Sequence, residues 1–481
     1  MKKDIIMKNN SGFLLILCFI LTLAFSGCSK NSPDNQQKKE SETIEINGIK
    51  YGDWTVYTMG KGRKPAGGYK NELVTDTISD PKTFNPPLAN ETSSTTAFGG
   101  LFEGLTTQDG ITLEVIPSLA ESWDISEDGL VYTFHLRKDV KFSDGVPMTA
   151  DDVLFSFNDI TFNENIPGIS MRDVLTVKGQ RPLVEKVDDY TIKMTLPLKF
   201  APFDRLVGGV EILTKHKLEQ SVKDGTFSST WTIGTDPKEI IGTGPYRLTI
   251  YEKAQRLIQE ANPHYWRKGF PKITKRVILI VPDINTSALK FTSGDTDIFG
   301  TRGEDYAGFA KIAEEKDFSM YDCGGASGTL FLMFNQNIVG VPEHMQVWFR
   351  DKKFRQAVAH AIDVERIIEE VYRGMAEPLF SAVPPSNPLF HNPNVKRYDY
   401  DLEKARKMLS DAGYIDYDGD GIREKPKGKP VKFILTTNAG NNVREQSCQI
   451  IRNDLKRIGL DVTYNPLDFN NLVTKIDTGG E

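Results

Sequence analysis

The run Asp416-Tyr417-Asp418-Gly419-Asp420-Gly421 sets carboxylates at the first, third and fifth positions of a loop with glycine at the sixth, the opening of an EF-hand calcium loop. Glu424 falls at the ninth position, but the twelfth, where a bidentate Glu is required, is Lys427. The run is therefore not an EF-hand. A calcium ion could still draw on Asp416, Asp418, Asp420, the Ile422 carbonyl and Glu424, because extracellular calcium is plentiful and weak sites suffice. The alternative is a plain acidic Asp-Gly turn between a helix and a strand. Other chemistry is sparse. The six histidines, at 135, 216, 264, 344, 360 and 391, show no paired spacing for a metal. There is no Gly-x-Ser-x-Gly elbow and no Cys/His signature of a nucleophile. Paired carboxylates at Asp151-Asp152 and Asp188-Asp189 fall at a helix start and a turn, where solvated caps account for them. The sequence gives an enzyme no support.

Cysteine chemistry points elsewhere. Lys2, Lys3 and Lys8 precede an apolar run over 13–25, shorter than the roughly 20 residues a bilayer needs but suited to a signal-peptide core. Phe25-Ser26-Gly27-Cys28 resembles a bacterial lipobox, with Phe25 where Leu is usual, so Cys28 is expected to be acylated and to become the mature N-terminus. An ordinary secretory signal is the alternative. Residues 31–42 contain no apolar side chain larger than proline and read as a flexible tether. Stretches 44–46 and 54–57 form an expected strand pair. A net charge of −6 without a basic cluster argues against nucleic acid or an anionic membrane surface as partner. With Cys18 in the signal and Cys28 acylated, Cys323 and Cys448 remain. Two unpaired, buried thiols are expected, with pairing as the alternative.

Residues 119–157 carry four local structures in order. Trp123 precedes a turn at Ser126-Glu127-Asp128-Gly129. Residues 131–136 alternate β-branched and aromatic side chains, as a half-buried strand does. A second turn follows at Ser143-Asp144-Gly145. Thr149 then caps a helix, with Asp152 closing a capping box ahead of Val153, Leu154, Phe155 and Phe157. Further strands are expected at 71–78, 186–198 (Ile192, Met194 and Leu196 on one face), 329–335, 431–435 and 460–464. Helices are expected at 349–363, with a core stripe of Phe354, Val358, Ala361 and Ile362, then after Asp363 to Gly374, at 400–413, and at 442–458. On that stripe Arg355 and His360 read as polar positions of a packed helix. The alternation of strands and helices implies mixed α/β layers.

The 119–157 segment closely resembles the signature of the family 5 extracellular solute-binding proteins, the oligopeptide- and dipeptide-binding components of ABC importers. Gly100-Leu101-Phe102-Glu103-Gly104-Leu105, Ile241-Gly242-Thr243-Gly244-Pro245-Tyr246-Arg247-Leu248, the 329–335 stretch ending in Phe334-Asn335, and the 349–363 helix resemble its other motifs. The resemblance implies a three-lobed, periplasmic-binding-protein-like α/β (mixed α+β) fold of the dipeptide-binding type. Its expected division is 1–27 signal peptide, 28–70 lipid-anchored tether and decoration, 71–88 and 232–322 lobe one, 89–231 lobe two, and 323–481 lobe three. It also implies a C-terminally truncated chain, with lobe three and the return to lobe one incomplete. The ligand is expected between lobes one and three, lined by Thr83, Phe84, Asn85, Phe102, Glu103, Gly324, Gly325, Thr329 and Phe331. Expected partners are a peptide, the permease and ATPase subunits, and the membrane through the lipid anchor, for a monomer without a cofactor other than structural calcium. Nickel chelates and oligosaccharides are alternative solutes. An exported hydrolase or an adhesive lipoprotein is the rival from another class.

Overall fold

The computed structural model describes residues 71–479, apart from 110–113, 314, 322–325, 327, 339 and 389, together with three short strands before residue 71. Of these, Ile44–Ile46 pairs with Ile49–Tyr51, while Ile5–Met7 lies between Ile298–Phe299 and Ser319–Tyr321. The 13–25 run, Cys28, the tether, the 54–57 stretch, Cys323, Gly324 and Gly325 lie outside the described residues. Among those described, no helix is long and apolar enough to cross a membrane.

Glu72–Thr77 pairs in parallel with Lys275–Ile280, which pairs antiparallel with Arg256–Ala261 and through it with Tyr246–Glu252. The first core strand thus sits beside one some two hundred residues later, and the chain between them makes a long excursion. Tyr246, Leu248, Leu257 and Ile278 cover one face of this sheet and pack with Phe84, Phe98, Leu101, Phe102 and Trp231.

The excursion builds an antiparallel sheet in the order Ala120–Ile125, Val131–Leu136, Thr191–Thr195, Leu183–Asp188. Period-two burial follows the residue pattern: Tyr132, Phe134, Leu136, Ile192 and Met194 point inward. Gly129 makes the first turn at φ +67°, where a side chain would be strained. The stretch expected as one strand over 186–198 instead holds the end of one hairpin arm, Leu183–Asp188, the turn, and the return arm, Thr191–Thr195. Its turn is set by Asp188, whose Oδ1 accepts from the Tyr190 amide at 2.8 Å. Opposite the sheet, the Thr149 amide donates to Asp152 Oδ2 at 2.9 Å, the reach-back half of the expected capping box. The helix that follows runs on as a π-turn over Phe155–Thr161. This register sends Phe155 and Ile160 to the first core and Phe157 to the second.

A further body packs Lys352–Ala361, Leu402–Asp411 and Asn442–Arg457 against two parallel strands, Lys432–Asn438 and Asp461–Leu467. Phe354, Val358, Leu409, Tyr414 and Phe433 form its centre. Asp363 caps the next helix by accepting from the Arg366 amide, and Gly374 and Gly459 close their helices at φ +71° and +82°. Arg355 donates to the Phe349 carbonyl, and buried His360 meets the Asp399 carbonyl through Nδ1. Cys448 is a buried free thiol. One strand expectation is not met among the described residues. Residues 329–334 form no regular element and alternate in burial, with Leu332 and Phe334 packed inward, and they pair with no described strand. The period-two pattern is present and the neighbour is not.

Candidate functional site

The 328–334 segment, which belongs to no regular element, makes no backbone–backbone hydrogen bond among the described residues. Its outward side chains are large and apolar: Phe331 is 73% exposed and Met333 65%. A free main-chain edge beside solvent-facing apolar groups can accept another extended chain. Thr329 is exposed on the same stretch.

The Phe469–Asp477 helix ties this segment to the loop that leaves the first strand. Asn335 Nδ2 donates to the Gly479 carbonyl at 2.8 Å, just beyond the helix end. On the loop side, Lys82 Nζ lies 3.3 Å from Asp477 Oδ2. Asn470 Nδ2 donates to the Asp80 carbonyl at 3.1 Å, and its Oδ1 accepts from Ser79 Oγ at 3.3 Å. A second junction joins the Ile284 amide to the Gly440 carbonyl and Asn442 to Asn285. Lys82, Asn470 and Asp477 carry no signal in the sequence. Only the fold brings together residues nearly 400 positions apart.

The residues expected to line the cleft divide sharply. Thr83 is half-buried at the rim, its amide held by Ser94 Oγ at 3.1 Å. Phe84 and Asn85, expected to line the cleft, are instead fully buried inside the first core. Phe84 donates its amide to the Trp231 carbonyl at 2.8 Å and packs edge-on against Tyr251. Asn85 Nδ2 donates to Thr230 Oγ1 and the Phe227 carbonyl, which satisfies its donor, while its Oδ1 is buried without a partner. Phe102 is likewise core, with its ring 5.5 Å from that of Trp231.

Glu103 is also internally committed. Its Oε1 accepts from Tyr265 Oη and its Oε2 from Trp266 Nε1, both at 2.9 Å. Burial pushes its carboxyl up from the usual range to about 7, opposed by the two ring donors and by Arg267 and Arg137. Those guanidiniums stack on Trp266 at 4.8 and 4.2 Å. Glu103 is a half-buried clamp that joins its segment to Tyr265 and Trp266.

Beside the extended segment, Ser386 Oγ donates to the Ala326 carbonyl at 2.9 Å, which brings in the irregular 376–398 stretch. That stretch encloses a cavity of 290 Å³ lined by Leu379, Phe380, Pro385, His391, Val395 and Arg397, among others. The volume lies at the lower end for ligand pockets. The carboxylates of Asp416, Asp418 and Asp420 gather elsewhere, on the turn before Lys432–Asn438.

The sequence model of the bacterial extracellular solute-binding proteins, family 5 Middle, matches residues 114–481. The oligopeptide-binding protein AppA of Bacillus subtilis (strain 168) is 29% identical over 482 residues, 98% of this chain and 79% of that one. Heme-binding protein A of Haemophilus influenzae is 30% identical over 417 residues, 83% of this chain and 71% of that one. The structure of Bacillus subtilis AppA in complex with a nonapeptide superposes with a TM-score of 0.70 at 29% identity, covering 84% of this chain and 76% of the other. With the family matched across most of its length and the mixed α/β architecture shared with a solved relative, the chain belongs to the family 5 bacterial extracellular solute-binding proteins, a family of binding proteins and not enzymes.

Proposed function

We propose that this protein captures oligopeptides outside the cytoplasm and delivers them to the permease and ATPase subunits of an ABC importer. It acts as a monomer of three lobes, tethered to the membrane by lipid on Cys28. The observation that carries the reading is the unpaired main chain of 328–334, which lies across the Phe469–Asp477 helix from the 79–82 loop. A peptide laid along that edge would exchange backbone hydrogen bonds, each with a net contribution of about 0.5–1.5 kcal/mol. Such bonds read no side chain, so specificity would be broad. Thr329, Phe331 and Met333 would meet the ligand's side chains, with Thr83 at the opposite rim. The peptide carried by the structurally similar AppA supports the same solute class.

The test is calorimetry on protein stripped of co-purified ligand by unfolding and refolding. Unrelated peptides of equal length should bind with similar affinity, and backbone N-methylation at alternate residues should weaken binding at least ten-fold. Indifference to N-methylation, or uptake of a chelate or glycan instead, would refute capture by strand addition. For the anchor, Cys28→Ser should abolish palmitate labelling and release the protein from membranes. Each buried methylene of an acyl chain contributes about 0.8 kcal/mol, so retention of the variant would refute anchoring at Cys28.

A further inference from the structure

Among the described residues, the 376–398 stretch holds no helix or strand, yet it is not loose. Prolines at 378, 384, 385, 388 and 393 fix their own φ angles. Turn bonds hold much of the rest: the Asn387 amide donates to the Pro384 carbonyl at 3.0 Å, and the Phe390 and His391 amides donate to the Asn387 carbonyl at 3.2 and 3.0 Å. Two further bonds tie the stretch to its surroundings. Ser386 Oγ donates to the Ala326 carbonyl at 2.9 Å, and the Tyr398 hydroxyl accepts at 3.0 Å from Gln356 Nε2 on the Lys352–Ala361 helix. The cavity enclosed by this stretch measures 290 Å³. Pockets that take whole drug-sized ligands run from about 300 to 1,000 Å³, so this one suits a single residue.

Its lining is mostly apolar, from Pro378, Leu379, Phe380, Pro385, Pro393 and Val395. Against that wall stands one cation. Arg397 lines the cavity with its guanidinium centred 5.0 Å from the Phe380 ring, a stack that holds the planar group in place. No ion pair joins Arg397 to a carboxylate among the described residues. Glu377 shares the lining but is exposed and forms no such pair. His391, also on the wall, has its Nδ1 committed to the Val383 carbonyl at 2.6 Å. The cavity therefore offers an unspent planar fork of donors beside apolar carbon, and a carboxylate meets such a fork with two parallel hydrogen bonds.

We infer that this cavity is a carboxylate subsite, taking a carboxylate on an apolar stem, with Arg397 as its partner and the proline-rich wall around the stem. The subsite rests on the reading of this protein as a peptide binder. Ala326, bonded to Ser386 of the cavity stretch, lies just ahead of the 328–334 segment. A peptide laid along that segment runs off its 328 end beside the cavity. Two parts of a peptide carry the required chemistry: a C-terminal residue with its own carboxylate, and an acidic side chain near that end.

Calorimetry on the ligand-stripped full chain separates the two sources with three peptides. The first ends in Leu with a free carboxylate, the second is its C-terminal amide, and the third is that amide with Glu in place of a penultimate Gln. If the terminus supplies the carboxylate, the free acid should bind about ten-fold or more tightly than the amide, and the Glu peptide should regain nothing. If a side chain supplies it, the Glu peptide should show that gain. Arg397→Gln should erase the preference and leave the plain amide within about two-fold of its wild-type affinity. Arg397→Lys should keep part of the preference, because an ammonium supplies the charge without the fork, and Glu377→Gln should keep it in full. Equal binding of the three peptides by the wild type would overturn the subsite and leave peptide capture standing, as would a preference that survives Arg397→Gln. Failure of all three to bind would overturn peptide capture and the subsite with it.

Discussion

Two parts of the molecule treat strand edges in opposite ways. The four-stranded sheet of 120–195 pairs its inner strands on both sides and turns a continuous row of aromatic and aliphatic side chains inward. The body around Phe433 has two paired strands, and beside them the 328–334 segment, whose main chain is unpaired among the described residues and whose Phe331 and Met333 face out. Period-two patterning is equally clear in both. The contrast teaches that alternation specifies which side chains turn inward, whereas pairing depends on what stands beside the strand.

The largest expected effect separates the two directly. Phe134→Ala, deep in the paired sheet, should cost about 3–5 kcal/mol in urea unfolding. Phe331→Ala removes an aromatic ring that is mostly in water and should stay within about 0.5 kcal/mol of the wild type, while weakening peptide binding. Comparable destabilisation by the two would mean that Phe331 is core and would erase the distinction.

The next effect is a pH dependence from Glu103. Its folded value of about 7 stands above the ordinary 4.5, so between the two the folded state holds a proton that the unfolded state has released. That contribution to stability is complete below about 4.5 and is lost as pH rises through 7. Its size is at most about 3.5 kcal/mol, from roughly 1.4 kcal/mol per pH unit. Glu211 is likewise raised to about 7 by burial, so Glu103→Gln should remove about half of the slope between pH 5 and 8. An unchanged slope would mean that the clamp carboxyl titrates normally.

Glu103 and Asn85 also mark where sequence reading stops. Caps, turns and stripes were legible at Thr149, Asp363, Gly374 and Gly459 because each is decided by a few neighbouring residues. The burial of Glu103 is decided by Tyr265 and Trp266, and that of Asn85 by Phe227 and Thr230. The family resemblance implied that both line the cleft, and no local pattern announces such distant partners. Lys82, Asn470 and Asp477, which join the 79–82 loop to the Phe469–Asp477 helix, are unremarkable in isolation for the same reason. A third test follows. Asn85→Ala should cost about 1–3 kcal/mol in stability through its lost buried hydrogen bonds and leave peptide affinity unchanged. Loss of affinity at full stability would return Asn85 to the cleft.

The smallest effect tests how firmly the open edge is held against the loop opposite. Lys82 and Asp477 are 31% and 41% exposed in their side chains, so water and salt screen the pair. A double-mutant cycle with alanine at both positions should give a coupling under about 1 kcal/mol that vanishes in high salt. Asn470 is different, because its amide joins the Asp80 carbonyl to Ser79 Oγ with uncharged bonds. Asn470→Ala should therefore cost more than Lys82→Ala, by about 1 kcal/mol, and the difference should survive high salt. A weak, screened ion pair beside one modest amide bridge is what two bodies need if they are to separate for a ligand and close again. A salt-resistant coupling above about 2 kcal/mol would instead describe a fixed joint, and the edge would then be closed to a peptide entering between them.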